Sequence, residues 1–548
     1  MNKRLKIIAI LLFFLSFVSF TKAEKLLTIP EKTNFEKTST YSEVMDFLKN
    51  LKKRHPEKMH ISFFAESTEG KKIPLVILSE EGVTKPEDIK FTKKHPVLIM
   101  ANIHAGEVEG KEATQILMRE ILEKGREDLL KNQIILIIPI FNPDGNDKMA
   151  KGNRGDNGPE LAGVRHNGQG YDLNRDYIKL ETPEVKALVN KIFVKWDPVI
   201  FVDMHTTNGS YHVEPVTYAP NMAPQGDDVL INYMWKKMLP EIDKKLLKKY
   251  GVKSIPYGNF VDRRNPGKGW RNHAYLGRYG TCYYGLRNRL SILDENYSHA
   301  DFKTRVKGAL GFIKSILEYT NSHIKEIVEL ENEADRRAVE KIKNSDFPVA
   351  FKSVKTYDFT IESYIFKVRK MTEEEKKKYP PWFGGFIVEK TDKLKNYKLP
   401  LFASFEPTKF VKLTAGYILL PSEKEVGQLL KLHGINVQKI EEEFEADVKV
   451  FKIKDIKSSK RIFQGHHLNK LEGEEILKKV KIPRGSFYVS LSQPLSRLVA
   501  YMLEPLSSDG LAAWNFFDRV IVREWSNKYR IYPVYKILSE PKVYMHEF

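Results

Sequence analysis

Residues 96–125 read PVLIMANIHAGEVEGKEATQILMREILEKG. Pro96 to Ile103 is a continuous apolar run of strand length, the pattern of a strand buried on both faces. Gly110 to Gly125 then places Ala113, Ile116, Leu117, Ile121 and Leu122 at helical spacing. Two further runs rich in Ile and Val, Ile134 to Ile140 and Pro198 to Met204, read as buried strands. Strand, helix and strand at this spacing predict a βαβ unit, hence an α/β fold whose mixed, mostly parallel sheet is flanked by helices. Working outward, Tyr41 to His55 reads as a helix capped by Thr38, Ser39 or Thr40, followed by strands His60 to Ala65 and Ile73 to Ser79. A helical segment, Phe302 to Asn344, closes the region.

From about Phe347 the texture changes to short alternating runs, Ala350 to Val354, Tyr357 to Ser363 and Tyr364 to Val368, followed by an aromatic loop, Pro380 to Gly385. Gly416 to Leu420 and Ser422 to Leu432 look like a strand and a capped helix, and Leu495 to Leu503 like a packed strand or helix. The expected organisation is a signal peptide over 1–23, a catalytic domain over 24–344 and a smaller β-rich C-terminal domain, or a pair of them, over 345–548.

Composition narrows the function. The chain has 548 residues, 90 basic and 71 acidic, for a formal charge of +19, and a single cysteine. One cysteine excludes internal disulfides and thiol zinc clusters, so any metal must be held by His, Asp or Glu. Lys3, Arg4 and Lys6, the apolar run Ile7 to Phe20 and the small residue Ala23 read as a cleavable export signal, placing the mature protein in the periplasm or outside the cell. That run is shorter than the roughly 20 residues a spanning helix needs, so no stable membrane insertion is expected once it is removed. The basic residues are interleaved with glutamates, as in Lys325 to Lys343, and form no compact stripe with stacking aromatics, so nucleic acid is not an expected partner.

His104-Ala105-Gly106-Glu107 sits where the first buried strand ends, the position at which open α/β sheets bind ligands. A His and a Glu three apart on a turn can both reach one cation. The run Ile200 to His205 repeats the arrangement, a buried strand finishing in a histidine. His104, Glu107 and His205 would give a zinc ion three ligands and leave the fourth position for water. His212 competes with His205, which is preferred because it directly ends the apolar run.

Between these segments lie Asn142-Pro143-Asp144-Gly145, Arg165 and Asp172-Leu173-Asn174-Arg175. With the His-x-x-Glu pair and a later His, they make residues 40 to 320 resemble the zinc carboxypeptidases of the carboxypeptidase A type. The C-terminal stretch is similar to the trailing region of exported bacterial members. The resemblance implies one Zn2+ as cofactor, peptide substrates, and hydrolysis of C-terminal peptide bonds by a metal-activated water with Glu295 as general base. It favours Glu295 over the adjacent Asp294. It implies Arg165 as stabiliser of the tetrahedral oxyanion, Asn174 and Arg175 as holders of the substrate carboxylate, and Asp172 as the residue that orients His104.

Two departures qualify the match. Asp176 stands where the family has Asn, adding a negative charge near the expected anion pocket. Tyr275, Tyr279, Tyr283 and Tyr284 all compete for the family's mobile tyrosine, so none is assigned. Cys282 is expected to be packed, and His466-His467 to lie in a solvent loop without a carboxylate partner. Two other readings stay open: a zinc amidase or deacylase acting on cell-wall peptides or acylated amino acids, and an inactive protein that binds peptides or glycans.

Overall fold

A computed structural model describes residues 25–379, 384–522, 525 and 529–548; the expected signal segment and residues 380–383 of the aromatic loop lie outside the described residues. An eight-stranded sheet runs in the order Met59–Glu66, Lys72–Leu78, Gln133–Ile138, His95–Ala101, Ile200–Thr207, Leu290–Tyr297, Val216–Pro220, Ser254–Pro256. The four central strands pair in parallel, while Met59–Glu66, Lys72–Leu78 and Val216–Pro220 join antiparallel. Ser254–Pro256 then pairs in parallel with Val216–Pro220 at the edge, so the sheet is mixed and mostly parallel.

Strand alternation sends Val97, Ile99 and Ala101 into one apolar layer and Leu98 and Met100 into the other. The first layer is covered by helices Tyr41–Arg54, Glu109–Glu123, Leu239–Tyr250 and Phe302–Lys341. Thr40 caps the first of these, its hydroxyl accepting the Glu43 N–H while the Glu43 carboxylate takes the Thr40 N–H. Helix Glu109–Glu123 lies close against the sheet because Gly110 has no side chain; a Cβ there would stand 2.8 Å from the Cβ of Met204. Each fully buried aliphatic side chain in these layers stabilises by about 1.5–3 kcal/mol. Leu98→Ala would cost about 2–5 kcal/mol.

The opposite layer continues without a break into the C-terminal β-rich domain: Leu98, Met100, Phe201 and Tyr284 share one apolar cluster with Leu419, Leu498 and Trp514. A seven-stranded sheet, Asn469–Ile482, Phe444–Ser458, Val534–Ile537, Gly416–Leu419, Phe487–Ser490, Gln438–Ile440 and Met545–Glu547, forms its body. Leu495 to Leu503 resolves into a buried helix, Ser496–Leu503, with apolar residues on all sides. The polypeptide also crosses between the two halves through strand pairing, Trp270 and Arg271 lying parallel to Leu401 and Phe402.

Candidate active site

His104 and Glu107 stand on the tight turn after strand His95–Ala101, with the Glu107 N–H donating to the His104 carbonyl at 2.9 Å. His205 comes from the adjacent parallel strand, which continues past it to Thr207 because Thr206 and Thr207 still pair with Asn296 and Tyr297. The strand thus carries His205 within it rather than ending there. Nδ1 of His104 and Nδ1 of His205 lie 3.1 Å apart, with Glu107 Oε1 3.1 Å from the first and Oε2 3.0 Å from the second. All three side chains are buried, and their donor atoms fall within 4.8 Å of one another.

The outer ring nitrogens explain this aim. His104 Nε2 is 2.9 Å from Asp172 Oδ1, and His205 Nε2 is 3.0 Å from Asp203 Oδ2. A carboxylate on each distal nitrogen fixes that nitrogen as the N–H and turns the Nδ1 lone pair inward. Two such lone pairs and a carboxylate converging on one buried point concentrate negative potential there. The electrostatics agree: burial opposes a charge on His205, yet Asp203 and Glu107 raise its pKa well above the ordinary value. Glu107, against the effect of burial, is held well below the carboxylate range by His104, Arg154 and His205. A dication answers the same field, and two nitrogens with one carboxylate suit it. This cluster can hold a metal ion. His212 takes no part, lying stacked on Tyr297 at 3.8 Å with its Nδ1 3.5 Å from Glu214.

Asp172 organises the neighbouring cations. Its Oδ2 accepts from Arg165 Nε at 2.9 Å and lies 3.7 Å from Arg175 Nη2, and despite burial His104, Arg175 and Arg165 hold it well below the carboxylate range. Arg165 also reaches Glu107 Oε1 with Nη1 at 3.3 Å. The Asn142 to Gly145 turn ties these parts together. The Asn142 amide donates to the carbonyls of Ile103 and Arg165, both at 3.3 Å, and its Oδ1 caps the turn at the Gly145 N–H. Gly145 is required by close approach, since a Cβ there would meet the His166 carbonyl at 2.5 Å.

Arg175 donates to the Asn174 carbonyl at 2.6 Å, and its guanidinium stacks over the Tyr279 ring at 4.7 Å. Asn174 Oδ1 accepts the Gly280 N–H at 2.9 Å. Among the competing tyrosines, Tyr283 and Tyr284 are buried in the core, Tyr275 packs on Phe405, and Tyr279 stands beside Arg175. Glu295 pairs in register with His205, so it shares that residue's side of the sheet, whereas Asp294 pairs with Met204 and faces the other way. Burial, with the charge on Glu107, pushes the Glu295 pKa up to about 8 against the pull of His205, Arg154 and Arg165.

The negative charge of Asp176 is met locally. Its carboxylate receives Lys179 Nζ at 2.8 Å, the Thr182 hydroxyl at 2.6 Å and the backbone N–H groups of residues 181 and 182, so its charge is neutralised within its own turn. His466 and His467 lie in a largely exposed loop as expected, but His466 does have a carboxylate partner, its Nε2 sitting 2.8 Å from Glu181 Oε1. Cys282 is buried as expected, its thiol pushed up to about 12 by burial.

Three residues near the cluster escaped sequence reasoning. Asp203 was recoverable, being two residues before His205 on the same strand face. Arg154 lies 3.2 Å from Glu107 Oε1 and donates to the Thr206 carbonyl at 2.6 Å, but it sits in an irregular loop with no periodic signal. Tyr257 is held in its protonated form by burial and by the charges of Glu295 and Glu107.

The sequence model of the zinc carboxypeptidase family matches residues 44–259. "Carboxypeptidase 2" of Trichophyton equinum is 21% identical over 495 residues, covering 87% of this chain and 84% of that protein. "Carboxypeptidase D" of Homo sapiens is 23% identical over 319 residues, covering 50% of this chain and 21% of that protein. Among solved structures, a metallo-carboxypeptidase from Burkholderia cenocepacia aligns with a TM-score of 0.38 and 16% identity, covering 52% of this chain and 70% of that one. Carboxypeptidase A from Helicoverpa armigera aligns with a TM-score of 0.40 and 16% identity, covering 53% and 75%. The family match over 44–259 and the buried His104, Glu107 and His205 cluster together support an enzyme, a zinc-dependent carboxypeptidase that hydrolyses peptide bonds.

Proposed function

We propose that this protein is an exported exopeptidase that removes residues from the C-termini of peptides, with one Zn2+ held by His104, Glu107 and His205. The observation that carries the reading is Asp172, one buried carboxylate that backs His104 on one side and gathers Arg165 and Arg175 on the other. It places the ligand cluster beside two guanidinium groups. When bound, zinc supplies Lewis acidity that brings the pKa of a water from about 15.7 towards roughly 7.

The chain's own residues do the rest. Glu295 accepts the proton of the attacking water and returns it to the departing amine. Arg165 faces the charge that develops on the former carbonyl oxygen, where a fixed cation acts without reorganisation. Arg175, with the Asn174 amide, grips the terminal carboxylate of the peptide, for which a planar fork of N–H donors is suited. Asp172 and Asp203 keep the two imidazoles oriented. The Lys3 to Ala23 segment supports export.

The test is a panel of peptides with free and amidated C-termini. The protein should release C-terminal residues from the free set, lose activity to a chelator and recover it with zinc. Glu295→Gln should lower kcat by roughly 10^2- to 10^4-fold with the metal content unchanged. Equal cleavage of amidated peptides would replace this reading with an amidase or deacylase. Undiminished activity of Glu295→Gln would remove the proposed base.

A further inference from the structure

Residues 277–280 form a bridge between the C-terminal domain and the arginine pair. At one end, Gly280 N–H donates to Asn174 Oδ1 and the Tyr279 ring lies under the Arg175 guanidinium. At the other, Gly277 N–H donates to the Tyr501 hydroxyl at 2.7 Å and Arg278 N–H to Asp509 Oδ2 at 2.7 Å. The Arg278 side chain binds the same carboxylate, Nε to Oδ1 at 2.7 Å, and its guanidinium lies over the rings of Trp514 (4.7 Å) and Phe463 (5.1 Å). Asp509 is fully buried and is also bonded to the Trp514 indole N–H at 3.1 Å.

A second contact reaches the same region from another loop of that domain. Gln464 and Gly465 form a tight turn with positive φ values of 52° and 80°, closed by mutual hydrogen bonds between Phe463 and His466. The Gln464 side-chain oxygen accepts the Asp172 N–H at 2.9 Å, and His466 holds Glu181. Both sides of Arg175, its Asp172 partner and its Tyr279 platform, are therefore anchored in residues 463–514.

We propose that the C-terminal domain is a working part of the substrate-binding site: Tyr501 and Asp509, acting through residues 277–280, and Gln464, acting through Asp172, are positioning residues for the carboxylate grip of Arg175. The proposal rests on the exopeptidase reading above. The energetic case is that a long, freely rotating arginine loses affinity for a carboxylate unless its fork is held in the productive geometry before binding. Arg175 has a stacked ring on one face and an acidic partner at its edge, and each depends on a hydrogen bond from the second domain.

The experiment measures kcat and KM separately on the full chain, with peptides carrying free or amidated C-termini. Tyr501→Phe deletes the hydroxyl that receives Gly277 N–H and donates to Asp509 Oδ2 at 3.4 Å, Gln464→Ala removes the side chain that accepts Asp172 N–H, and Asp509→Asn keeps shape while removing charge. Each should raise KM for free-carboxylate peptides by roughly ten-fold, the size of one lost charge-assisted hydrogen bond, with kcat and metal content near wild type. Gln464→Glu, which restores an acceptor, should recover most of the loss at that position. A purely structural role would instead lower the melting temperature and the active fraction with KM unmoved, and that pattern overturns the proposal. Because Asp509 is buried and its variant can fail to fold, Tyr501→Phe and Gln464→Ala decide the matter. His467→Ala, on the same loop with its ring bonded to the Ser459 carbonyl, is the control. If the wild type ignores the free carboxylate or Arg175→Ala leaves KM unchanged, the exopeptidase reading has failed and the proposal falls with it. If Arg175→Ala raises KM and the three C-terminal variants do not, only the proposal fails.

Discussion

Two walls of the candidate site are built by different rules. The first, made by the ends of strands His95–Ala101, Ile200–Thr207 and Leu290–Tyr297, follows from local order: parallel neighbours in register bring His104, His205 and Glu295 together as a consequence of sheet pairing. The second, formed where residues 463–514 meet 171–181 and 277–280, joins segments hundreds of positions apart through individual hydrogen bonds and one buried ion pair. A strand-end wall is as stable as the sheet that carries it. A wall assembled from polar contacts between domains is vulnerable to the loss of any one of them.

The largest expected effect is that of acid on another contact between the two halves, beside the second wall. His433 is fully buried where the C-terminal helix Lys424–Leu432 ends; its ring is bonded to the Tyr283 hydroxyl at 2.7 Å and the Ile178 carbonyl, and its own carbonyl accepts from Arg287. Burial and the Arg287 charge lower its pKa from 6.5 to about 3. The unfolded chain then binds the proton that the folded one refuses, so this contribution to stability is complete above about pH 6.5 and is lost as pH falls towards 3. The expected loss over that window is a few kcal/mol, on the order of the pKa displacement at about 1.4 kcal/mol per pH unit. The fall in melting temperature between pH 7 and pH 5 should be smaller for His433→Gln than for wild type; an identical fall would show that this histidine does not titrate as described. Asp172, which backs His104 and meets Gln464, has its pKa depressed, so its stabilisation is kept above the usual carboxylate pKa near 3.9 and lost only below it.

The next effect in size falls on the first wall. Asp203→Asn retains shape but removes the charge behind His205, and metal affinity should drop by roughly 10- to 100-fold, measurable by competition with a chromogenic chelator. KM for metal-saturated enzyme should hardly move, in contrast to the variants of the second wall.

The smallest effect belongs to neither wall. Thr40→Ala removes the cap of helix Tyr41–Arg54 and should cost about 1 kcal/mol in denaturant unfolding with kcat and KM intact. A change in KM here would mean that the site senses global stability, and the contrast between the walls would lose its meaning.

The same contrast explains what could be read in advance. The buried strands, the Glu109–Glu123 helix and the Tyr41–Arg54 helix are written in hydrophobic periodicity and capping residues, signals that act over a few neighbours. His104 and Glu107 were legible because a strand end is a predictable place, and His205 because it follows a buried apolar run, although its strand continues two residues past it. Asp203 was legible in principle from the two-residue period of its strand. Arg154 was not, since an irregular loop carries no period. The carboxylate partner of His466 was not legible because Glu181 lies 285 positions away. The charge of Asp176 was visible, but its neutralisation by Lys179 and the backbone of the following turn depends on a local geometry that composition does not encode.

By itself the sequence determined the α/β class, the donor residues available to a metal and the kind of chemistry they can perform, because side-chain identity and short-range pattern are properties of the chain alone. Only the tertiary structure decided which imidazole nitrogens face one another, that Glu295 rather than Asp294 shares the side of His205, and that residues 463–514 contact the segments on either side of Arg175. Those outcomes depend on register and on contacts between distant segments, whose energies exist only once the chain has been brought together.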